Sequence, residues 1–216
     1  MSELIREGGP FVWVLIACSV VALTYILERL WFLRRQAVLP TEVLNVLQRA
    51  RDTREVTALR AVCDARPSPL SRLLGVAMEN LHWPKEETAS AVEVQARQEV
   101  VRLERGLVVL EIIVGIAPLL GLVGTIYGII PLFGDFGKAV GSDNNLLARG
   151  IAAALNKTLL GLMVAIPSLV AWSYFNKRVE TLAVSLEAEC DAFLRKMYLG
   201  SDTASAAAQP GRTTAA

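Results

Sequence analysis

Thr125 and Thr158 are hydroxyls set inside apolar, glycine-rich stretches, the first in GIAPLLGLVGTIYGIIPLF and the second in GIAAALNKTLLGLMVAIP. A hydroxyl in such a setting has two uses: it bonds back to a carbonyl of its own helix, or it presents oxygen to a water-filled lumen. Asn156 and Lys157 add an amide and an ammonium near the start of the second stretch. A lipid-facing ammonium at membrane depth costs at least about 3 kcal/mol, so Lys157 either snorkels to the outer interface or faces protein or water. Other chemistry finds no set of residues. Cys18, Cys63 and Cys190 have neither metal-ligand nor disulfide spacing, and the single His82 has no companion. No metal site, no cofactor and no enzymatic triad is expected, because nucleophile, base and orienting group do not converge.

Small residues surround the two threonines at helical spacing. Ala154, Thr158, Gly161, Ala165 and Ser168 fall at i, i+4, i+7, i+11 and i+14, opposite Leu155, Leu159, Leu160, Leu162, Met163 and Ile166. Such a stripe either packs on another helix or lines a narrow pore. Two threonines in two such stretches favour a shared polar lining, with Thr125, Thr158, Ala154, Gly161 and Ala165 as its candidate residues. Lys157 and Asn156 are then candidates for a charge at the lumen or the interface. Gly121, Gly124 and Gly128, with Pro118, are the candidates for tight helix contact, Gly124 and Gly128 forming a small-xxx-small pair.

The elements that must position these residues follow from hydropathy. Hydrophobic residues make up 53% of the 216 and mean hydropathy is +0.43, which suits a small integral membrane protein. A formal net charge of +1 implies neither a nucleic-acid partner nor an acidic substrate. A bilayer core about 30 Å thick needs roughly 20 helical residues, and three stretches meet that length. Leu15-Ile16-Ala17-Cys18 resembles a lipoprotein cleavage box, but Glu3, Arg6 and Glu7 stand where a basic cluster belongs, and apolar sequence continues past Cys18. Arg29, Arg34 and Arg35 after the first stretch, Arg102 and Arg105 before the second, and Lys177 and Arg178 after the third place those flanks in the cytoplasm. The amino terminus then lies outside and the carboxyl terminus inside.

The expected organisation is a short periplasmic N-terminus (1–10), a first span (11–33), a cytoplasmic helical region (34–107), a second span (108–133), a periplasmic loop (134–149), a third span (150–176), a cytoplasmic C-terminal helix (177–199) and a disordered tail (200–216). Pro67, Pro69 and Pro84 break the cytoplasmic region into short helices. Beyond Pro84, the stripe Ala89, Val92, Ala96, Val100, Leu103 and Leu107 predicts a helix running unbroken into the second span, with Glu93 and Arg97 paired at i,i+4. Phe175, Val179, Leu182, Leu186, Phe193 and Met197 carry a second stripe past the third span. The fold class is all-α: three spans whose long helices extend into a cytoplasmic helical bundle.

GGPFVWVLIACSVVALTYILERLWFLRR, APLLGLVGTIYGIIPLF and GIAAALNKTLLGLMVAIPSLVAWSYFNKRVE resemble the three spans of the MotA/TolQ/ExbB proton-channel family, over about residues 8 to 198. GLxGT followed by GLxxAIP, in that order and topology, carries the likeness, and the three-span plan is similar to the ExbB and TolQ branch. The resemblance implies a homopentamer in the bacterial inner membrane around single-span ExbD-like or TolR-like helices, with a TonB-like or TolA-like protein receiving force. In the family a partner aspartate takes protons in a lumen lined by the second and third spans, and Thr125 and Thr158 match the two lumen threonines. The family's common GIAEAL glutamate is replaced here by Ala153. Lys157 falls about 40° round the helix from that position, so proton specificity rests on the partner. A structural scaffold that holds its partner without conducting is the alternative consistent with Ala153.

Overall fold

A computed structural model describes residues 9–49, 53–136 and 144–207, and these residues are helical or in short turns, with no strand among them. Helix α1 is Gly9–Phe32, followed by α2 (Arg35–Val38), α3 (Thr41–Arg49), α4 (Thr53–Ala65), α5 (Pro69–Glu79), α6 (Lys85–Glu104), α7 (Leu107–Phe136) and α8 (Asn144–Ala207). Three of them are long and apolar enough to cross a membrane, over Pro10–Phe32, Leu107–Pro131 and Ala148–Leu199. The chain divides into two compact units, the first comprising Met1–Trp31 and Arg105–Asn176, the second Phe32–Glu104 and Lys177–Ala216.

In the first unit α1, α7 and the first half of α8 come together. One face of α1 is buried through Val12, Leu15, Ala22 and Arg29, while Trp13, Val20, Leu23, Leu27 and Trp31 stay exposed, the apolar exterior a lipid-facing helix requires. Lipid supplies no hydrophobic drive between α7 and α8, so they associate by close backbone approach. A Cβ on Gly161 would lie 2.6 Å from the Ala117 carbonyl oxygen and 3.1 Å from the Gly121 Cα, and one on Gly121 would lie 2.9 Å from the Lys157 carbonyl oxygen. Gly161→Ala should therefore drive the two backbones apart at a cost of about 1–3 kcal/mol. The expected result is a lower thermal midpoint for the purified chain in detergent. Gly115→Ala, whose Cβ would meet nothing within 4 Å, should leave the midpoint unchanged or raise it.

The second unit holds α2 to α6 with the second half of α8. Ser68 caps α5 by accepting a hydrogen bond from the Ser71 amide at 3.1 Å, and Pro69 follows at the first helical position, where its missing N–H costs nothing. Leu59, Leu70, Leu73, Leu74, Ala77, Val92, Ala96, Leu182, Leu186 and Phe193 form its apolar interior. The C-terminal stripe is buried from Phe175 to Phe193, with Cys190 and Leu194 added and Met197 half-buried. Tyr198 on α8 donates to the Trp83 carbonyl at 2.7 Å and meets Thr88 Oγ1 at 2.8 Å, and Lys196 donates to the Gln48 carbonyl at 3.2 Å, so polar contacts tie α8 to the turn before α6 and to α3.

Several boundaries differ from the sequence expectation. The helix after Pro84 does not run unbroken into the second apolar stretch: α6 stops at Glu104, and Gly106 adopts φ +142°, a backbone conformation side chains avoid. Arg29, 6% exposed, fills the break, donating to the Arg105 carbonyl at 2.9 Å while its guanidinium takes the space a Cβ on Gly106 would need. Helix α7 continues through Phe136 and α8 begins at Asn144, so the expected 134–149 loop is helical at both ends, with 137–143 outside the described residues. Residues 200–207, expected to be disordered, extend α8, and their alanines favour that state. The remainder of the expected tail, 208–216, and most of the expected N-terminal segment lie outside the described residues.

Candidate functional site

The two threonines meet across the seam between α7 and α8. Thr125 Oγ1 contacts Thr158 Oγ1 directly, and it lies 3.0 Å from the Gly121 carbonyl oxygen of its own helix and 3.1 Å from the Ala154 carbonyl oxygen of α8. Thr158 Oγ1 lies 3.3 Å from the same Gly121 oxygen. Each hydroxyl has one proton to give. If Thr158 donates to Thr125, Thr125 donates to a carbonyl; if Thr125 donates to Thr158, the proton of Thr158 turns to Gly121. The pair thus has two hydrogen-bond polarities with the same heavy-atom positions. Thr125 is 8% exposed and Thr158 half-buried, so the accessible edge of the pair belongs to Thr158.

The rest of the stripe lies along the same seam. Ala154, Gly161, Ala165 and Ser168 are buried, and Ser168 returns its hydroxyl to the Val164 carbonyl at 2.7 Å. Within one chain, Gly161 and Thr158 meet Ala117 and Gly121 of α7. Gly124 and Gly128 lie against Phe11 and Ala154, and their missing side chains also make room for Lys157, whose Cβ and Cδ lie 3.4 Å from the Gly124 Cβ position and whose Nζ lies 2.9 Å from that of Gly128. Lys157 is 7% exposed, sheltered by protein along its stem. Asn156 is exposed, Ala153 and Pro118 are half-buried, and none of the three joins the threonine pair.

A second polar cluster lies in the other unit, and sequence reasoning missed it. The Glu99 side chain is fully buried, yet it accepts from Arg72 Nε at 2.8 Å and Nη2 at 2.5 Å, Arg102 Nη1 at 2.7 Å and Gln95 Nε2 at 3.1 Å. Burial alone would raise the Glu99 carboxyl, but the hydrogen bonds and charge of Arg72, then the charge of Arg102 and the Gln95 amide, hold it below the usual carboxylate range. The signal was in the spacing, because Val92, Ala96, Glu99 and Leu103 form a stricter helical stripe than one routed through Val100, which is half-buried. A cleft of about 710 Å³ opens beside the cluster, lined among others by Phe32, Arg66, Arg72 and Arg102. Arg66 faces Glu42 at 2.7 Å, and Arg72 and Arg102 face Glu99, so the guanidiniums are engaged by carboxylates. Among the described residues no group of His, Cys, Asp or Glu is placed to hold a metal ion.

Hydroxyls paired between two long apolar helices, with GLxGT on one and GLxxAIP on the other, coincide with a match to the MotA/TolQ/ExbB proton channel family over residues 65–188. The chain belongs to that family. It is 33% identical over 169 residues to the putative biopolymer transport protein ExbB-like 1 of Synechocystis, covering 77% of this chain and 66% of that protein. It is 29% identical over 180 residues to the putative biopolymer transport protein ExbB homolog of Methanothermobacter thermautotrophicus, covering 82% and 63%. The Tol-Pal system protein TolQ of Haemophilus influenzae is 32% identical over 95 residues, 44% of this chain and 42% of that one. The alignments thus span just under two thirds of the length of the first two relatives. As a member of a channel family, the chain is placed among transport proteins, and its three apolar helices fit a membrane protein.

Proposed function

We propose that the chain is an ion-channel and stator subunit of the bacterial inner membrane, which with an ExbD-like or TolR-like single-span partner converts ion-motive force into mechanical work for outer-membrane transport or envelope maintenance. The observation that carries this reading is the direct contact of Thr125 with Thr158 in a seam of small residues. Five chains are proposed to surround the partner helices, N-termini in the periplasm and C-termini in the cytoplasm, with a TonB-like or TolA-like protein receiving the work. The lining is assigned to Thr125, Thr158, Ala154, Gly161 and Ala165, with Lys157 and Asn156 towards its outer end. A carboxyl group from the partner, costly at membrane depth unless hydrogen-bonded, would exchange a hydrogen bond with the Thr158 edge, the threonine keeping its proton. The transported ion in this reading is the proton.

A non-conducting scaffold is the second reading. It is favoured by Ala153, where family members commonly carry glutamate, and by a hydroxyl pair whose bonds close within the chain. Proteoliposomes containing the chain, with and without its co-expressed single-span partner, separate the two. An imposed pH gradient should drive proton entry only when both are present; assembly with the partner but no flux would support the scaffold.

A further inference from the structure

Lys157 is a cation placed inside the first unit, and among the described residues no acid pairs with it. Its side chain runs along Gly124 and Gly128, whose Cβ positions also meet Phe11 and Ala154, and it is 7% exposed. The ion pairs found among the described residues do not include it. On the elements around it, α7 has no acid between Glu111 and Asp135, and α8 has none between Asn144 and Asn176. Asp135 follows Gly128 by seven residues, about 10 Å along the helix axis. Arg149, exposed, precedes Lys157 by eight residues, and on the chain before α1 Glu7 precedes Phe11 by four, outside the described residues. An ammonium sheltered to this degree is costly unless an anion meets it.

That path also aims the group. Side chains of a helix lean towards its N-terminus, and the Nζ of Lys157 reaches Gly128, three residues beyond Thr125 on α7 and so about 4.5 Å further along the axis. A single carboxylate moving by a few ångströms would therefore meet the ammonium at one end and the hydroxyl pair at the other.

We infer that Lys157 is the fixed counter-charge for an ionised carboxylate on the partner's spanning helix, which leaves the ammonium for the Thr125–Thr158 pair when it takes up a proton. The inference rests on the channel reading above. Its only chemical step is addition of a proton to the carboxylate oxygen, giving a neutral acid. Lys157 is a positioning residue in this scheme, as are the two glycines that seat it. Pairing with an ammonium favours the ionised form, so proton uptake waits for a lower pH than it would without Lys157.

The pH dependence of proton flux through the complex assembled with its partner tests this. Lys157→Gln removes the charge, and half-maximal flux should move to higher pH by about one unit; Lys157→Arg, which keeps the charge, should stay near wild type. Gly128→Ala puts a methyl where the flexible end of Lys157 lies, so it should fold normally and give a smaller upward move. An unchanged profile in Lys157→Gln, or a move to lower pH, overturns the inference. Should Lys157→Gln fail to assemble, an unmoved profile in Gly128→Ala does so. If the threonine double variant described below is inactive while Lys157→Gln keeps the wild-type profile, only the lysine scheme fails; if that double variant is fully active, the channel reading fails with it.

Discussion

Replacing Thr125 by alanine and Thr158 by valine together is expected to abolish ion-driven work while leaving the chain inserted and assembled. The stability cost is small, because the carbonyls of Gly121 and Ala154 sit in continuous helices and lose only second partners, each worth about 0.5–1.5 kcal/mol. Valine also matches threonine in shape. The functional cost is large, because the double variant removes both threonine hydroxyls from the seam, and the remaining one, on Ser168, is returned to the Val164 carbonyl. Thr158→Val alone should be the more damaging single change, since Thr158 forms the accessible edge and Thr125 is 8% exposed. Energy-dependent transport in cells, read beside the yield of the co-purified complex, measures both quantities. Normal transport by an assembled double variant would contradict the account.

Arg72→Ala should be the most destabilising single change in the second unit. It removes two hydrogen bonds from a carboxylate with no solvent exposure and leaves that charge to Arg102 and Gln95. Breaking a buried pair from one side costs about 3–5 kcal/mol. Glu99→Gln should cost less, because it removes the buried charge and leaves guanidiniums that are partly exposed to water. Faster amide hydrogen exchange in α5 and α6 of the full chain in detergent reads the difference; equal effects of the two changes would argue against it. The same cluster sets an acid limit. The Glu99 carboxyl is held lower in the folded chain than when unfolded, so its contribution is complete above the ordinary carboxylate value of about 4.3 and is lost as pH falls below it. Protection of α5 and α6 should therefore collapse in acid, and less steeply in Glu99→Gln.

Hydropathy made the three apolar helices legible, since lipid leaves a helix few ways to satisfy its backbone. The threonines were legible as a pair of candidates, but not their contact: that depends on Gly121 and Gly161 letting two backbones approach, and spacing shows which residues share a face without showing which face meets which. The same limit hid a further role of Gly124 and Gly128, which read as a helix-packing pair and also house a lysine stem. The Arg105–Gly106 break escaped because the apolar stripe continues through it, from Leu103 to Leu107. Glu99 escaped because a charge on a buried stripe is the costlier reading until Arg72, twenty-seven residues earlier, is seen to meet it.

The central claim, that the threonine seam opens on water, is tested most directly by thiol labelling of Thr158→Cys in the assembled complex with Cys18 changed to serine. The remaining thiols should stay silent: burial raises Cys63, and it pushes Cys190 up to about 12. The reacting species is the thiolate, which forms only where water reaches. The account predicts that a charged, membrane-impermeant methanethiosulfonate modifies Thr158→Cys and that Leu159→Cys, on the exposed apolar face, does not react. If instead the two positions behave alike, refusing the charged reagent and reacting only with a lipid-soluble maleimide, the seam faces acyl chains and the account is contradicted.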